Sequence, residues 1–440
     1  MPAKTRLSRM MVLGLLLALG ACLRMPPVPD MRAAIRSPSL TGAAPRSVTL
    51  PFILDAGRML VEITLLKPGG GERKVLAFVN MGSGAFGLSH ALFRELNPGN
   101  GRPLRLKFGS LQIALDGRTI QPLALASGLH LTLNPFAGAP SAADMAKEKE
   151  PNTDFFAPHK VEAVISPGLL QHFQVVFDYG ARTMTLAAPG TLTPEGVAVP
   201  MRVNPRTGFA TVDATLDGKR TPLVIDNGGS FSTLRDVALV IDAHPAWLRS
   251  QGGIGWANYL FAPGGADALS PVIKIPGASL GALKLPELGA QEPRMPALIY
   301  FLAKGAFWDW YGEKAGEEIQ GWIGGNVLKN FRLTLDYPAR TSHWLAQGPF
   351  DTHDLDQVGI VLGRAKGVVT VTGIAAKNGQ PTVSGVAVGD RLLKIGELDT
   401  AAASRGEMLA ALHGKPGESK RLTLERAGQR IEIDVAVTGF

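Results

Sequence analysis

The 440-residue chain is poor in cysteine, charge and aromatic residues. A single cysteine, Cys22, excludes an internal disulfide framework and any multi-thiolate metal site. Charged residues make up only 19%, which disfavours long solvent-facing helices laced with ion pairs. Lys and Arg exceed Asp and Glu by 8, yet they are scattered without a stripe or an aromatic-interleaved patch, so no nucleic-acid partner is expected. The longest N-terminal apolar run, Met10 to Ala21, holds 12 residues, too few to span a bilayer. The eight histidines form no His-Glu-x-x-His or other ligand-like group, and there is no Walker-type loop; no metal and no cofactor are expected. Abundant instead are glycine (52) and proline (32), in a chain that is 45% hydrophobic. That balance predicts short strands, many turns and well-filled cores: a mainly β protein of more than one domain.

The lone thiol has a place at the N-terminus. Lys4, Arg6 and Arg9 precede the apolar run, and small residues close it, the pattern of a secretory signal peptide. Leu19-Gly20-Ala21-Cys22 also resembles the bacterial lipobox, which implies acylation of Cys22 and a membrane anchor; a plain signal peptide with an incidental cysteine is the alternative. Leu23 after the cysteine, rather than Asp, implies sorting to the periplasmic face of the outer membrane. Residues 23–47, rich in Pro, Ala and Ser, read as a tether.

A long-range repeat organises the chain beyond residue 47. Val164 to Tyr179 aligns with Trp322 to Tyr337: Leu170 with Leu328, Phe173 with Phe331, Asp178 with Asp336, and beyond them Arg182 with Arg340, all offset by 158. Upstream, Ala77-Phe78-Val79-Asn80-Met81-Gly82-Ser83 matches Leu223-Val224-Ile225-Asp226-Asn227-Gly228-Gly229, and Leu88 and Leu234 lie the same distance beyond residues 80 and 226. Two related β-rich lobes, 48–190 and 197–347, are therefore expected.

These residues resemble the aspartic peptidases, and the bacterial retropepsin-like branch in particular: apolar-apolar-Asp-Thr-Gly-Ser/Ala, then an apolar-apolar-Gly strand behind the loop. The resemblance implies a cleft between pseudo-symmetric lobes, each contributing one Asp, and a polypeptide substrate. The chemistry needs two carboxyls about 3 Å apart sharing one proton, one deprotonating a water and the other polarising the scissile carbonyl. Lobe two carries Asp226, Asn227, Gly228, Gly229 and Ser230, with Gly324 in the supporting strand. Lobe one keeps Gly82 and Ser83 but has Asn80 in place of the acid, Met81 in place of the bracing Thr and Ser166 in place of the strand glycine. A carboxamide cannot carry the travelling proton, and loss of the shared acid costs several orders of magnitude in rate. Two readings stay open, an aspartic-type endopeptidase and a catalytically dead peptide-binding pseudoprotease. A homodimer pairing Asp226 with its own copy, or another acid reaching the site, would restore the dyad. The plain alternative for Asp226 is an ordinary turn residue before Asn-Gly.

Other matches carry less. Gly82 to Gly87 fits G-x-G-x-x-G, but the second lobe does not reproduce it and no partner acid stands downstream. Gly277-Ala278-Ser279-Leu280-Gly281 fits a nucleophile elbow but is read as a hairpin turn, since no helix comes after it. Gly252 to Trp256 reads as a flap strand or a turn, and the aromatic stretch Ala297 to Tyr311 as core cover or a substrate wall. Ser141 to Asp154 reads as an exposed loop. After a composition break near Gly348, residues 355–438 resemble a bacterial PDZ domain, most specifically in Gly389-Asp390-Arg391-Leu392-Leu393-Lys394-Ile395. That resemblance implies capture of an extended chain end by strand addition, with Gly359, Ile360 and Val361 in the receiving loop, or a spacer that binds nothing.

Overall fold

The structure, a computed structural model, describes residues 28–35, 46–98, 102–123, 156–255, 266–292 and 297–440. It is mainly β: two lobes built from curled sheets, with a smaller β unit after them. The signal and lipobox segment with Cys22, and the loop Ser141 to Asp154, lie outside the described residues.

Both lobes start on the same device. Strand Ser47–Asp55 turns through Ala56 and Gly57 (φ 50° and 80°) into Arg58–Leu66, and Ala210–Leu216 turns through Asp217 and Gly218 (φ 49° and 71°) into Lys219–Ile225. Positive φ at both turn positions matches the right-handed twist of the flanking strands, which is why glycine closes each pair. Arg182 and Arg340, equivalent in the repeat, share the same left-handed backbone (φ 53° and 51°). The repeat is thus conformational as well as chemical.

The lobes meet strand to strand. Gln174–Asp178 pairs antiparallel with Phe331–Asp336, with Val176 opposite Thr334, Asp178 opposite Arg332 and Gln174 opposite Asp336. Val176 and Thr334 are themselves repeat partners, so the pairing closes on a local two-fold axis and one 13-stranded sheet runs through both lobes. A continuous apolar core accompanies it, from Met59, Val61 and Leu106 to Leu223, Ile275 and Leu333. The central strand Val161–Ile165 is buried along its whole length, its one charged residue, Glu162, being paired with Arg73.

The C-terminal unit has its own core, including Val358, Leu362, Val371, Leu392, Met408, Leu422 and Val435. Its sheet runs in the order Ile360–Ala365, Val368–Ile374, Arg391–Ile395, Ser419–Arg426, Gln429–Ala436, with helix Arg405–Leu412 beside it. Ser404 and Glu407 close that helix's N-terminus as a reciprocal capping box. Asp390 accepts the Ala387 N–H at 2.8 Å and the Nε and Nη2 of Arg426 at 2.7 Å each, which fixes the turn into the third strand.

Two sequence expectations are revised here. Residues 28–35, expected within a tether, pack into the lobes: Met31 and Ala34 are fully buried, the Met31 N–H donates to the Arg206 carbonyl, and Ile35 bridges Leu115. Apolar side chains spaced three apart find a groove, and burying them outweighs the loose composition around them. Gly277 to Gly281 is not a single hairpin turn: Gly277 and Gly281 turn at positive φ on either side of the short strand Ser279–Leu280, which pairs with Leu283–Lys284, while Val272–Pro276 pairs with Glu287–Gln291.

Candidate functional site

Each lobe delivers a loop to the interface by the same construction. In lobe one, Glu72–Val79 runs parallel to Val161–Ile165, and the Asn80 N–H donates to the Ile165 carbonyl at 2.9 Å. In lobe two, Lys219–Ile225 runs parallel to Gly321–Ile323, and the Asp226 N–H donates to the Ile323 carbonyl at 3.0 Å. The chain then folds back on itself: the Gly82 N–H donates to Asn80 Oδ1 at 2.9 Å and the Gly228 N–H to Asp226 Oδ1 at 2.8 Å.

These loops bring Asn80 and Asp226 face to face. A Cβ on Gly228 would lie 2.0 Å from Asn80 Oδ1 and 2.9 Å from Asp226 Oδ1, and one on Gly82 would lie 2.2 Å from Asp226 Oδ2. Glycine is therefore required at both positions, because any side chain would fill the space between the two polar groups. Asn227 reaches across the interface, its Oδ1 accepting the Met81 N–H at 2.9 Å and its amide 3.7 Å from Met59 Sδ. Met81 offers nothing in return: it is buried, with its sulfur 3.9 Å from the Tyr337 hydroxyl.

The support differs between lobes. A Cβ on Gly324 would fall 2.4 Å from the Phe231 carbonyl carbon, whereas Ser166 at the equivalent place is tolerated with its hydroxyl buried and unbonded. Ser230, downstream of Gly229, turns away from Asp226; its hydroxyl bonds the Ala56 carbonyl and accepts from Arg58, whose Nε also donates to the Gly228 carbonyl at 3.1 Å. Ser83, whose N–H donates to the Asn80 carbonyl at 3.1 Å, completes the lobe-one turn.

The aromatic stretch Ala297 to Tyr311 makes up most of helix Ala297–Ala315, and this helix covers the pair. The Tyr311 hydroxyl donates to Asp226 Oδ2 at 2.9 Å, and Lys314, buried beside it, lays its ammonium 3.5 Å from the centre of the Trp310 ring. Phe307, Trp308, Tyr311 and Trp322 stack into a single cluster behind them, the packing role for this stretch; the side chain of Phe301 is outside the described residues. Pro29 of the N-terminal segment stands at 3.0 Å and Lys314 Cε at 3.7 Å from where a Cβ on Gly84 would lie. The sequence places Tyr311 only in an aromatic stretch and residues 28–34 only in a tether, and gives Lys314 no role; no spacing links them to residue 226.

Electrostatically the site is a desolvated one. Burial raises the Asp226 carboxyl above its ordinary range, against the Tyr311 hydroxyl, the Gly228 N–H and Lys314, all of which favour the anion. Burial pulls the Lys314 ammonium down to about 7, although Asp226 attracts it. The Tyr311 phenol is held well above its ordinary value by burial and by the carboxylate it bonds. The arrangement offers one carboxyl, a carboxamide unable to exchange a proton opposite it, and a phenol on the oxygen that would otherwise meet water.

The residues expected to receive a chain end are engaged within the protein. The Gly359 carbonyl accepts from Ala375 N–H at 2.9 Å, and Gly255 of lobe two lies along the edge strand, its N–H donating to the Ile360 carbonyl at 2.8 Å and its carbonyl accepting from Leu362 N–H at 3.3 Å. Val361 is buried opposite Gly255. Gly359, Ile360 and Val361 thus do not form a free chain-end site: the segment Gln251 to Gly255, one of whose readings was a flap, occupies the edge, because an unpaired strand edge and an apolar Ile254 satisfy each other. Trp256 lies outside the described residues. Among the described residues no group of three or more His, Cys, Asp or Glu is placed to hold a metal, and no helix is long and apolar enough to cross a membrane.

No family model matches the chain, and no curated protein matches it. Among solved structures it is similar to an aspartic proteinase from Irpex lacteus, at 11% identity over 70% of this chain and 98% of that one, with a TM-score of 0.36.

Proposed function

We propose that this chain is an aspartic-peptidase-like protein that acts on polypeptides by holding them, its hydrolytic step having been lost. The observation that carries the reading is Asn80, bound to Gly82 as Asp226 is bound to Gly228 and facing it across the two-fold axis. An isosteric amide keeps the shape of a half-protonated dyad while removing the proton that must travel. The Tyr311 bond to Asp226 supports the same reading, since it takes the carboxylate oxygen nearest the partner loop. Hydrolysis of a denatured protein at mildly acidic pH tests it. The wild type is expected to be inactive and Asn80→Asp combined with Tyr311→Phe to gain cleavage by several orders of magnitude over background. Wild-type cleavage abolished by Asp226→Asn would overturn the reading in favour of a working peptidase.

The reading extends to location. The basic N-terminus, short apolar run and Leu19-Gly20-Ala21-Cys22 support export and lipid anchoring at the periplasmic face of the outer membrane. Metabolic labelling with radioactive palmitate is expected to mark the wild type and not Cys22→Ser; equal labelling of both refutes the anchor.

A further inference from the structure

A second polar cluster lies where lobe one, lobe two and the C-terminal unit meet. A cavity of about 790 Å³ opens there, with Leu54 and Gly57 from lobe one, Phe231 and Val272 from lobe two, and Leu355 and Leu409 from the C-terminal unit on its walls. Ile254, next to Gly255 on the edge strand, also lines it. The volume is in the range of a ligand site, and the walls are mainly apolar.

One charged group in this wall has only a long ion pair. The Asp354 side chain is only 10% exposed, makes no hydrogen bond to a described residue, and has its nearest cation, Lys329 Nζ, at 3.8 Å. Lys329 is itself held by Asp351 at 2.7 Å, and the other nearby lysine, Lys274, is taken by Glu287 at 3.1 Å and the Thr352 carbonyl. The remaining acids around the cavity are satisfied: Asp55 accepts the Gly406 N–H, Glu407 the Ser404 N–H, and Asp356 the Phe440 N–H and His353. His413 turns its Nε2 to the His353 carbonyl at 3.0 Å, while His159 and Arg182 also line the wall. Beside this wall three acids, Asp351, Asp354 and Glu287, share two lysines, Lys274 and Lys329, and Asp354 has the longest ion pair of the three.

We propose that this cavity binds an extended polypeptide segment carrying a basic side chain, whose aliphatic stem packs on Phe231, Val272 and Leu355 and whose cationic head pairs with Asp354. A buried carboxylate facing an apolar space gains from a long side chain that is apolar along its length and charged at its tip. Lys329, fixed on Asp351, leaves the free face of Asp354 to the ligand. The inference deepens the polypeptide-binding reading by naming the class of segment bound, and it does not depend on whether Asp226 is active. Burial holds the Asp354 carboxyl up to about 6, the neighbouring Asp351 and Glu287 adding to it and Lys329 and Lys274 opposing it. Its charge is therefore present at neutral pH and fades as the pH falls through about 6.

The test uses the mature full chain and two fluorescein-labelled peptides, Leu-Leu-Arg-Leu-amide and Leu-Leu-Gln-Leu-amide, followed by anisotropy, with mass spectrometry reporting any cleavage separately. At about pH 7.5 the Arg peptide is expected to bind at least about tenfold more tightly, the preference falling away towards about pH 5. Asp354→Asn, isosteric and free of the buried charge, should erase the preference; Ile254→Trp, which fills the cavity, should weaken both peptides. Equal affinity for the two peptides, a preference surviving in Asp354→Asn, or binding of free agmatine as tight as that of the Arg peptide would each overturn the proposal. Cleavage of either peptide would instead count against the loss of hydrolysis and leave the Asp354 dependence readable.

Discussion

The two loops at the centre of the molecule have the same backbone and different chemistry. Residues 80–83 and 226–229 hang from their supporting strands by matching bonds and fold back through matching glycine N–H groups. Yet one presents a carboxamide and the other a carboxyl, and the brace across the axis runs one way only, from Asn227 to the Met81 N–H. The comparison separates two demands. The loop shape requires an oxygen at residue 80 to accept the Gly82 N–H, which Asn supplies as well as Asp does; only proton transfer requires the acid. Lobe two keeps the acid, a bonding side chain at Asn227 in the Thr position and the strand glycine Gly324, and lobe two also supplies the helix that covers the site through Tyr311 and Lys314.

The sharpest way to break the equivalence is at the supporting strands. Gly324→Ala drives a methyl to 2.4 Å from the Phe231 carbonyl carbon and 2.5 Å from its oxygen, backbone atoms that cannot rotate aside. Overpacking against main chain at the base of the Asp226 loop is expected to cost about 3 kcal/mol or more. Ser166→Ala, its counterpart, removes a buried hydroxyl that bonds nothing, and is expected to be neutral or to stabilise by up to about 1 kcal/mol. Urea denaturation of both variants checks the pair; equal losses would show that the lobes are supported alike.

The repeat at offset 158 was legible because it is local: each copy places a strand, a short helix and a turn, and strand pairing then forces Val176 onto Thr334 and Asn80 towards Asp226. What escaped were the contacts between segments with no repeat partner. Pro29 and Met31 over the lobe-one loop, Tyr311 on Asp226 and Gly255 on the Ile360 edge all join residues far apart in sequence, and none leaves a period or a motif. The stretch Val358 to Leu362, expected as a receiving loop, enters the edge strand Ile360–Ala365, and whether such an edge is free depends on which distant segment reaches it. Asp354 carries even less signal, since it stands in a linker-like Asp-Thr-His-Asp stretch and the groups outside that stretch whose charges act on it, Lys329, Lys274 and Glu287, come from lobe two.

A smaller and pH-dependent effect comes from the helix of lobe two, which brings a buried cation to Asp226. Lys314 titrates near 7 in the folded chain and near its ordinary 10.5 when unfolded, so between those values the unfolded chain binds more protons and stability rises with pH. Below about pH 7 the buried ammonium carries its full desolvation penalty, partly offset by the Trp310 ring and by attraction to Asp226. Lys314→Met keeps the apolar stem and removes the charge. It should therefore stabilise the protein at about pH 6 by on the order of 2 kcal/mol, and the gain should shrink steadily towards about pH 10. A gain of equal size at both ends of that range would mean that packing rather than charge sets the stability of the cover. A loss at the acid end would mean that the attraction of Asp226 for the ammonium exceeds the cost of burying it.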